Sequence, residues 1–161
     1  MEARSIVERP DELRAHLRGM WVAVAGGWER HAGYVDDRGA GVTQAMLAAT
    51  RPQPGERVLE LACGPGGPGL VAADLVAPGG EVVLSDVVPE MSAIAAARIE
   101  ALGIGNARTL ELDLEQIEQP DASYDVVLCR EGLMFATDPG AAAREIRRVL
   151  RPRGRVGLAV W

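Results

Sequence analysis

Three glycines, Gly64, Gly66 and Gly69, have the spacing G-x-G-x-x-G and stand between a predicted strand and a predicted helix. Glycine at these positions lets the backbone approach a ligand, because no side chain stands in the way. A strand, such a loop and a helix in succession are typical of a site for a nucleotide-like ligand at the carboxyl end of the strand. The spacing alone is also compatible with a tight turn.

Three acidic residues stand at the ends of predicted strands: Glu60 ends the first, Asp86 follows the second, and Asp113 follows the third. Asp86 can accept hydrogen bonds from a ribose diol, Asp113 can accept one from the adenine amine, and Glu60 favours a cation nearby. Because the carboxyl ends of parallel strands open onto one crevice, we expect the three to share a site. Each one alone is equally compatible with capping the following helix.

Two prolines in the glycine-rich segment help to choose between cofactors. A pyrophosphate cofactor such as NAD needs backbone N–H donors and a helix dipole. Pro65 and Pro68 remove two N–H groups, and Glu60 adds a negative charge beside them. S-adenosylmethionine has no phosphate and carries a positive sulfur, so these residues favour the methyl donor. An NAD(P)-binding Rossmann module is the alternative.

The elements that position these residues follow from short apolar runs that alternate with helical stretches. We predict strands at 57–61, 81–85, 107–112, 124–129 and 155–161, and helices at 42–49, 69–75, 90–102 and 140–150. Apolar strands separated by helices predict a mostly parallel, doubly wound sheet in a three-layer α/β/α fold. We assign this fold to residues 51–161 and a helical segment to residues 1–50.

The composition excludes several classes of protein. The 161 residues carry 17 basic and 23 acidic side chains, a net charge of −6, which argues against a nucleic-acid or anionic-membrane partner. Lysine is absent from the sequence, which excludes a Schiff-base or P-loop lysine. Cys63 and Cys129 lack the spacing of a zinc site, so we predict no metal. Without an apolar stretch long enough for a signal peptide or membrane span, we predict a cytoplasmic protein with free thiols.

Four longer motifs extend the evidence beyond the glycines. They are ELACGPG at 60–66, VLSDVVPEM at 83–91, DASYDVVLC at 121–129 and REIRRVLRPRGRV at 144–156. Together they resemble class I S-adenosylmethionine-dependent methyltransferases of the ubiquinone/menaquinone-biosynthesis-like (type 11) group, over residues 55–161. The resemblance implies methyl transfer to a small-molecule acceptor, with S-adenosylhomocysteine as the product.

The resemblance also implies which residues contact the cofactor. They are Glu60, Ala62, Cys63, Gly64, Gly66, Asp86, Val87, Met91, Asp113, Leu114 and Arg130. In the family, the residue matching Asp86 binds the ribose, those matching Val87 and Met91 pack on the adenine, and the turn containing Arg130 lines the methionine end. The N-terminal segment, with Trp21, Trp28 and Tyr34, matches helices that cover the cofactor, and ordinary packing of these rings is the alternative. No catalytic base is assigned by this comparison.

The sequence departs from the family at its end. The family sheet has seven strands in the order 3-2-1-4-5-7-6, and we expect the sixth and seventh to be absent here. The fifth strand, with Val156, Leu158, Val160 and Trp161, then becomes an exposed apolar edge. We expect this edge to pair with a second copy of the chain. A non-catalytic subunit that pairs with another protein through the same edge is the other alternative.

Overall fold

Two helices open the part of the chain that the computed structural model describes, residues 10–161. Helix α1 spans Pro10–Arg30, and helix α2 spans Ala32–Thr50. Proline at the first position of α1 and acidic residues in its first turn suit a helix N-terminus. Helix α2 ends where Arg51 adopts a left-handed conformation with φ 44°, and its N–H donates to the Leu47 carbonyl.

Five parallel strands then form one sheet. They are β1 Arg57–Glu60, β2 Glu81–Asp86, β3 Ala107–Glu111, β4 Tyr124–Arg130 and β5 Leu150–Ala159. Between them lie α3 Gly67–Val76, α4 Pro89–Ala101, a short 3-10 helix Leu133–Phe135, and α5 Pro139–Val149. The order across the sheet is β3-β2-β1-β4-β5. This confirms the predicted doubly wound α/β/α fold and the first five positions of the expected strand order.

The central strands β1, β2 and β4 are buried on both faces, which explains why they read as nearly continuous apolar runs. Val58 and Leu84 belong to a core shared with α2, α3 and α4 on one face. Leu59 and Val127 belong to a second core with α5 on the opposite face. Alternate residues of each strand therefore serve alternate layers, and the strands' carboxyl ends are left to form the site.

Two boundaries differ most from the sequence prediction, the start of α2, which lies at Ala32 rather than at residue 42, and the start of β5. Strand β5 begins at Leu150, directly after α5, rather than at residue 155. An irregular register explains the difference: Tyr124 pairs with Leu150, and two residues later Val126 pairs with Arg155. Because β5 is the edge strand, it tolerates Pro152 within its span. Within residues 10–161, no helix combines the length and the apolar character that crossing a membrane requires.

Candidate functional site

A cavity of about 940 Å³ lies between the carboxyl ends of the central strands and the two N-terminal helices. Its walls come from α1, α2, the ends of β2 and β4, the loop after β3, and the connection between β1 and α3 at residues 61–66, which we call the glycine loop. Ten of the eleven residues implied by the resemblance line this cavity, and Gly66 does not. A volume near the upper end of the ordinary range for ligand pockets leaves room for more than one small molecule.

The three glycines of the G-x-G-x-x-G motif have different structural roles. Gly64, with φ +51°, has no heavy atom within 4 Å of the position that a Cβ would occupy, and it lines the cavity. At Gly66, with φ +94°, a Cβ would lie 2.6 Å from Leu84 Cδ2. At Gly69 a Cβ would lie 2.8 Å from Leu84 Cγ and would collide with the Glu60 carboxylate. Gly64 thus keeps space free for a ligand, whereas Gly66 and Gly69 allow the loop and α3 to pack on the sheet.

Asp86 fixes the glycine loop from the end of β2. Its Oδ2 accepts a hydrogen bond from the Gly64 N–H at 2.9 Å, and its Oδ1 accepts one from the Val88 N–H at 3.0 Å. Burial raises the pKa of this carboxyl, while the backbone donors act in the opposite direction. A carboxylate has about four acceptor positions, so these two bonds do not use up its capacity to accept hydrogen bonds from a ligand.

Glu60 lies deeper, at the end of β1, and is almost completely buried. Its Oε2 accepts a hydrogen bond from the Gly69 N–H at 2.7 Å. Burial raises the pKa of the carboxyl to about 8, against the opposing effects of the Gly69 bond and the Arg130 charge. Glu60 is therefore largely protonated near neutral pH, which its sequence position alone did not predict.

The third acidic residue, Asp113, shapes the loop after β3. Its Oδ1 accepts a hydrogen bond from the Glu115 N–H at 2.8 Å, and it forms an isolated antiparallel bridge with Gln116. Leu114 lines the cavity beside it, and Val87 and Met91 line the wall formed by the end of β2 and the start of α4. These apolar side chains can hold a flat ring next to an acidic acceptor.

Arg130, the last residue of β4, lies on the other side of the glycine loop. Its Nη1 donates to Thr43 Oγ1 of α2 at 2.8 Å. A Cβ added to Gly67 would lie 2.9 Å from Arg130 Nη2, so the guanidinium group is close to the N-terminus of α3. The contact with Thr43 was not predicted, because a threonine within a helix of small residues carries no signal of its own.

Aromatic side chains are concentrated at this cavity. The chain has six aromatic residues, and five of them line it: Trp21, Trp28, Tyr34, Phe135 and Trp161. The Trp21 ring is edge-to-face with those of Trp28 and Phe135, at centroid distances of 5.8 and 5.0 Å. We call these five side chains the aromatic wall. The sequence analysis connected Trp21, Trp28 and Tyr34 with a lid and did not identify Phe135. Phe135 could have been singled out as the sole phenylalanine in the sequence.

The two cysteines are buried free thiols. Burial raises the pKa of Cys63 well above its ordinary value and that of Cys129 to about 11, so both are protonated at neutral pH. Cys63 lines the cavity and Cys129 does not. Because the thiolate is the nucleophilic form, neither is suited to covalent chemistry.

Comparisons with known proteins agree with this arrangement. A family model described as "Methyltransferase domain" matches residues 58–154. The chain belongs to this methyltransferase family. It is 38% identical over 105 residues to a ubiquinone/menaquinone biosynthesis C-methyltransferase of Ectopseudomonas mendocina, an alignment that covers 65% of this chain and 41% of the relative. The resemblance to the type 11 group of class I S-adenosylmethionine-dependent methyltransferases is thus confirmed, and the NAD(P) alternative is not favoured.

Solved structures share the fold. An S-adenosylmethionine-dependent methyltransferase from Aquifex aeolicus superposes with a TM-score of 0.68 at 23% identity, covering 77% of this chain and 68% of that one. The [4+2]-cyclase SpnF gives a TM-score of 0.67 at 28% identity, covering 72% of this chain and 42% of that one. The chain spans about two fifths of the length of the curated relatives that it matches.

Proposed function

We propose that this chain binds S-adenosylmethionine in the cavity and transfers its methyl group to a small-molecule acceptor. The observation that carries the proposal is the convergence of ten residues that the resemblance implies, from Glu60 to Arg130 along the chain, on one cavity in a methyltransferase-family domain. A single motif could match a family by chance. Their meeting at the carboxyl edge of the sheet is what a cofactor site in this fold requires.

The residues fit the cofactor at both ends. Asp86 can accept further hydrogen bonds beside those from Gly64 and Val88, and we assign these to the ribose hydroxyls. Val87, Met91 and Leu114 offer an apolar slot for adenine, with Asp113 at its edge. Gly64 leaves open the space in which the cofactor would cross the loop. The arrangement has the polar and apolar surfaces that the molecule needs, in one connected cavity.

Arg130 and Glu60 set the electrostatics near the methionine end, and Glu60 is largely protonated when no cofactor is bound. We assign Arg130, beside the N-terminus of α3, to the cofactor's carboxylate, because a guanidinium and a helix N-terminus both favour an anion. Glu60 lies on the same wall. A cationic sulfur nearby favours the ionised form of its carboxyl and lowers its pKa.

The N-terminal helices complete the enclosure. We assign residues 1–50 as a lid, of which α1 and α2 belong to the described part, and residues 51–161 as the cofactor-binding domain. The bound cofactor supplies an activated methyl group, so the protein's task is to align the acceptor and exclude water. No side chain is assigned as a catalytic base.

The aromatic wall supports an acceptor with a flat apolar face. Ring side chains bind such a face by stacking or edge contacts. The curated relatives named for ubiquinone and menaquinone biosynthesis act on carbon, which agrees with a ring acceptor here. The [4+2]-cyclase that shares this fold carries out other chemistry, so detection of a transferred methyl group distinguishes methyl transfer from it.

Calorimetric titration with S-adenosylhomocysteine, with NAD as the control, tests the proposal. Micromolar binding of the first and no binding of the second is the expected result. Mass spectrometry of quinol and phenol acceptors incubated with S-adenosylmethionine then detects a transferred methyl group. A folded protein that binds neither ligand would contradict the proposal and favour the non-catalytic alternative.

Strand β5 supports a proposal about assembly. On the outer edge of the sheet, Val156 and Leu158 are each nearly half exposed. We infer that this edge pairs with the same edge of a second copy, because two identical edges can pair around a two-fold axis. We also place the protein in the cytoplasm, an assignment that its two free cysteines support.

A further inference from the structure

Arg14, in the first half of α1, reaches Glu115 in the loop after β3, 101 residues further along the chain. We propose that Arg14 is a positioning residue that holds α1 closed over the adenine end of the cofactor site through this ion pair, the Arg14–Glu115 latch. The inference rests on the proposed function, because it identifies what keeps that site closed.

Glu115 is the fixed half of the latch. Its carboxylate accepts hydrogen bonds from the Thr137 N–H at 2.6 Å and from Thr137 Oγ1 at 2.9 Å. Its side chain is only 7% exposed, whereas that of Arg14 is 43% exposed. Burial raises the pKa of Glu115, but the bonds from Arg14 and Thr137 outweigh it and lower the pKa below its ordinary value. The Glu115 carboxylate is therefore ionised at neutral pH, and Thr137 holds it in the position where Arg14 binds it.

The same carboxylate belongs to the loop that forms the adenine end of the site. The Glu115 N–H donates to Asp113 Oδ1, and the residue between them, Leu114, lines the cavity. A displacement of Glu115 therefore displaces Asp113 and Leu114, the two residues of this loop that are assigned to the adenine. Arg14 also lines the cavity, so the latch closes its wall as well as steadying the loop.

The two halves of α1 are attached in different ways. The second half packs its buried Ala25, with Trp21 and Trp28, against Val88 and Met91. No residue of the first half is fully buried. Within residues 10–161, the latch is the only side-chain hydrogen bond or ion pair that joins α1 to another element. Breaking it frees the first half of α1, while the aromatic packing holds the second half as a pivot.

The test measures how fast the cofactor product leaves. Trp21 and Trp28 line the cavity, so tryptophan fluorescence in a stopped-flow instrument can follow S-adenosylhomocysteine dissociation. Arg14→Gln and Glu115→Gln should each raise the dissociation rate constant roughly fivefold or more, and the double variant should add little to either. Arg30→Gln, which removes an exposed arginine from the other end of the same helix, is the matched control and should leave the rate unchanged.

Hydrogen exchange of the ligand-free protein provides a second, cofactor-independent readout. Amides of the first half of α1 should exchange faster in Arg14→Gln than in the wild type or Arg30→Gln. Dissociation rates that are equal in Arg14→Gln and the wild type would overturn the gating role. A wild-type protein that binds no S-adenosylhomocysteine would overturn the proposed function. In that case, faster exchange in Arg14→Gln alone still supports closure by the latch, and unchanged exchange rules it out.

Discussion

At the scale of single residues, Asp86 has two tasks that a substitution can separate. It orders the glycine loop through Gly64 and, in the proposed function, holds the ribose. We expect Asp86→Ala to raise the dissociation constant of S-adenosylhomocysteine at least about tenfold, or ~1.4 kcal/mol, since both the loop anchor and the ribose acceptor are lost. Calorimetry measures this change.

Asp86→Asn provides the matched control for that prediction. The amide oxygen preserves the side chain's size and can keep one of the two backbone hydrogen bonds, so its affinity should lie between those of wild type and Asp86→Ala. Circular dichroism establishes that each variant is folded. An affinity of folded Asp86→Ala within about twofold of the wild type would show that the ribose assignment is wrong.

Glu60 gives stability an unusual pH dependence. Burial raises the pKa of its carboxyl from 4.5 to about 8, so between these values the folded protein holds a proton that the unfolded chain has released. The contribution of Glu60 to the free energy of unfolding should therefore be greatest below about pH 4.5 and fall as the pH rises toward 8. Asp86, Asp36 and Arg130 are the charged groups that act on Glu60, and the first two resist its ionisation.

Comparison with Glu60→Gln isolates this contribution. Glutamine can accept the hydrogen bond from the Gly69 N–H, and it does not ionise. Denaturant unfolding between about pH 5 and pH 8 should show the wild type losing roughly 2–4 kcal/mol more than Glu60→Gln. Parallel stability profiles for the two proteins would mean that Glu60 is not buried as described.

At the scale of elements, the sheet was predictable because its central strands β1, β2 and β4 are buried on both faces. Strand β4, for example, was predicted at 124–129 and spans Tyr124–Arg130. For helix α1 only a helical segment at 1–50 was predicted and not its bounds, since α1 buries only Ala25 and contains Gly26 and Gly27, which weaken any helical pattern. Local sequence signals report burial, so a helix that mainly covers a cavity leaves few of them.

The site was predictable to a similar extent and for a similar reason. Some site residues, such as Gly64 and Asp86, are positioned by the order of strand, loop and helix along the chain. These could be located from motif spacing. The contacts of Arg14 with Glu115 and of Arg130 with Thr43 join residues far apart in the sequence. Such pairs depend on how α1 and α2 dock on the sheet, which no single segment of sequence encodes.

The glycine loop allows a prediction in which binding and stability respond differently. Gly64→Leu places a side chain in the open space of the cavity, so it should abolish S-adenosylhomocysteine binding. Its positive φ should lower the free energy of unfolding by about 1–2 kcal/mol. The Cβ that Gly69→Ala adds meets Leu84 and the Glu60 carboxylate in the interior. This variant should therefore lower the free energy of unfolding more than Gly64→Leu does. Calorimetry and denaturant unfolding on both variants test the contrast. Tight binding by folded Gly64→Leu would remove the loop from the site.

At the scale of the whole molecule, the decisive feature is how the outer edge of β5 is covered. Leu158 is 45% exposed on this edge strand. In the proposed dimer, a lysine there would bring two like charges to the strand pair and oppose pairing. Sedimentation velocity should therefore show a concentration-dependent dimer for the wild type and a monomer for Leu158→Lys.

The control for this prediction changes an equally apolar residue away from the edge. Leu102, just after α4, is 62% exposed, so Leu102→Lys alters surface charge and hydrophobicity in the same way but should leave the dimer intact. If both lysine variants dissociate the dimer, general surface charge governs association and the edge does not. A wild type that stays at the 17.1 kDa of one chain at every concentration would contradict pairing through β5. Dimerisation lost only in Leu158→Lys would instead assign the exposed edge to self-assembly, since that variant differs from its control in position alone.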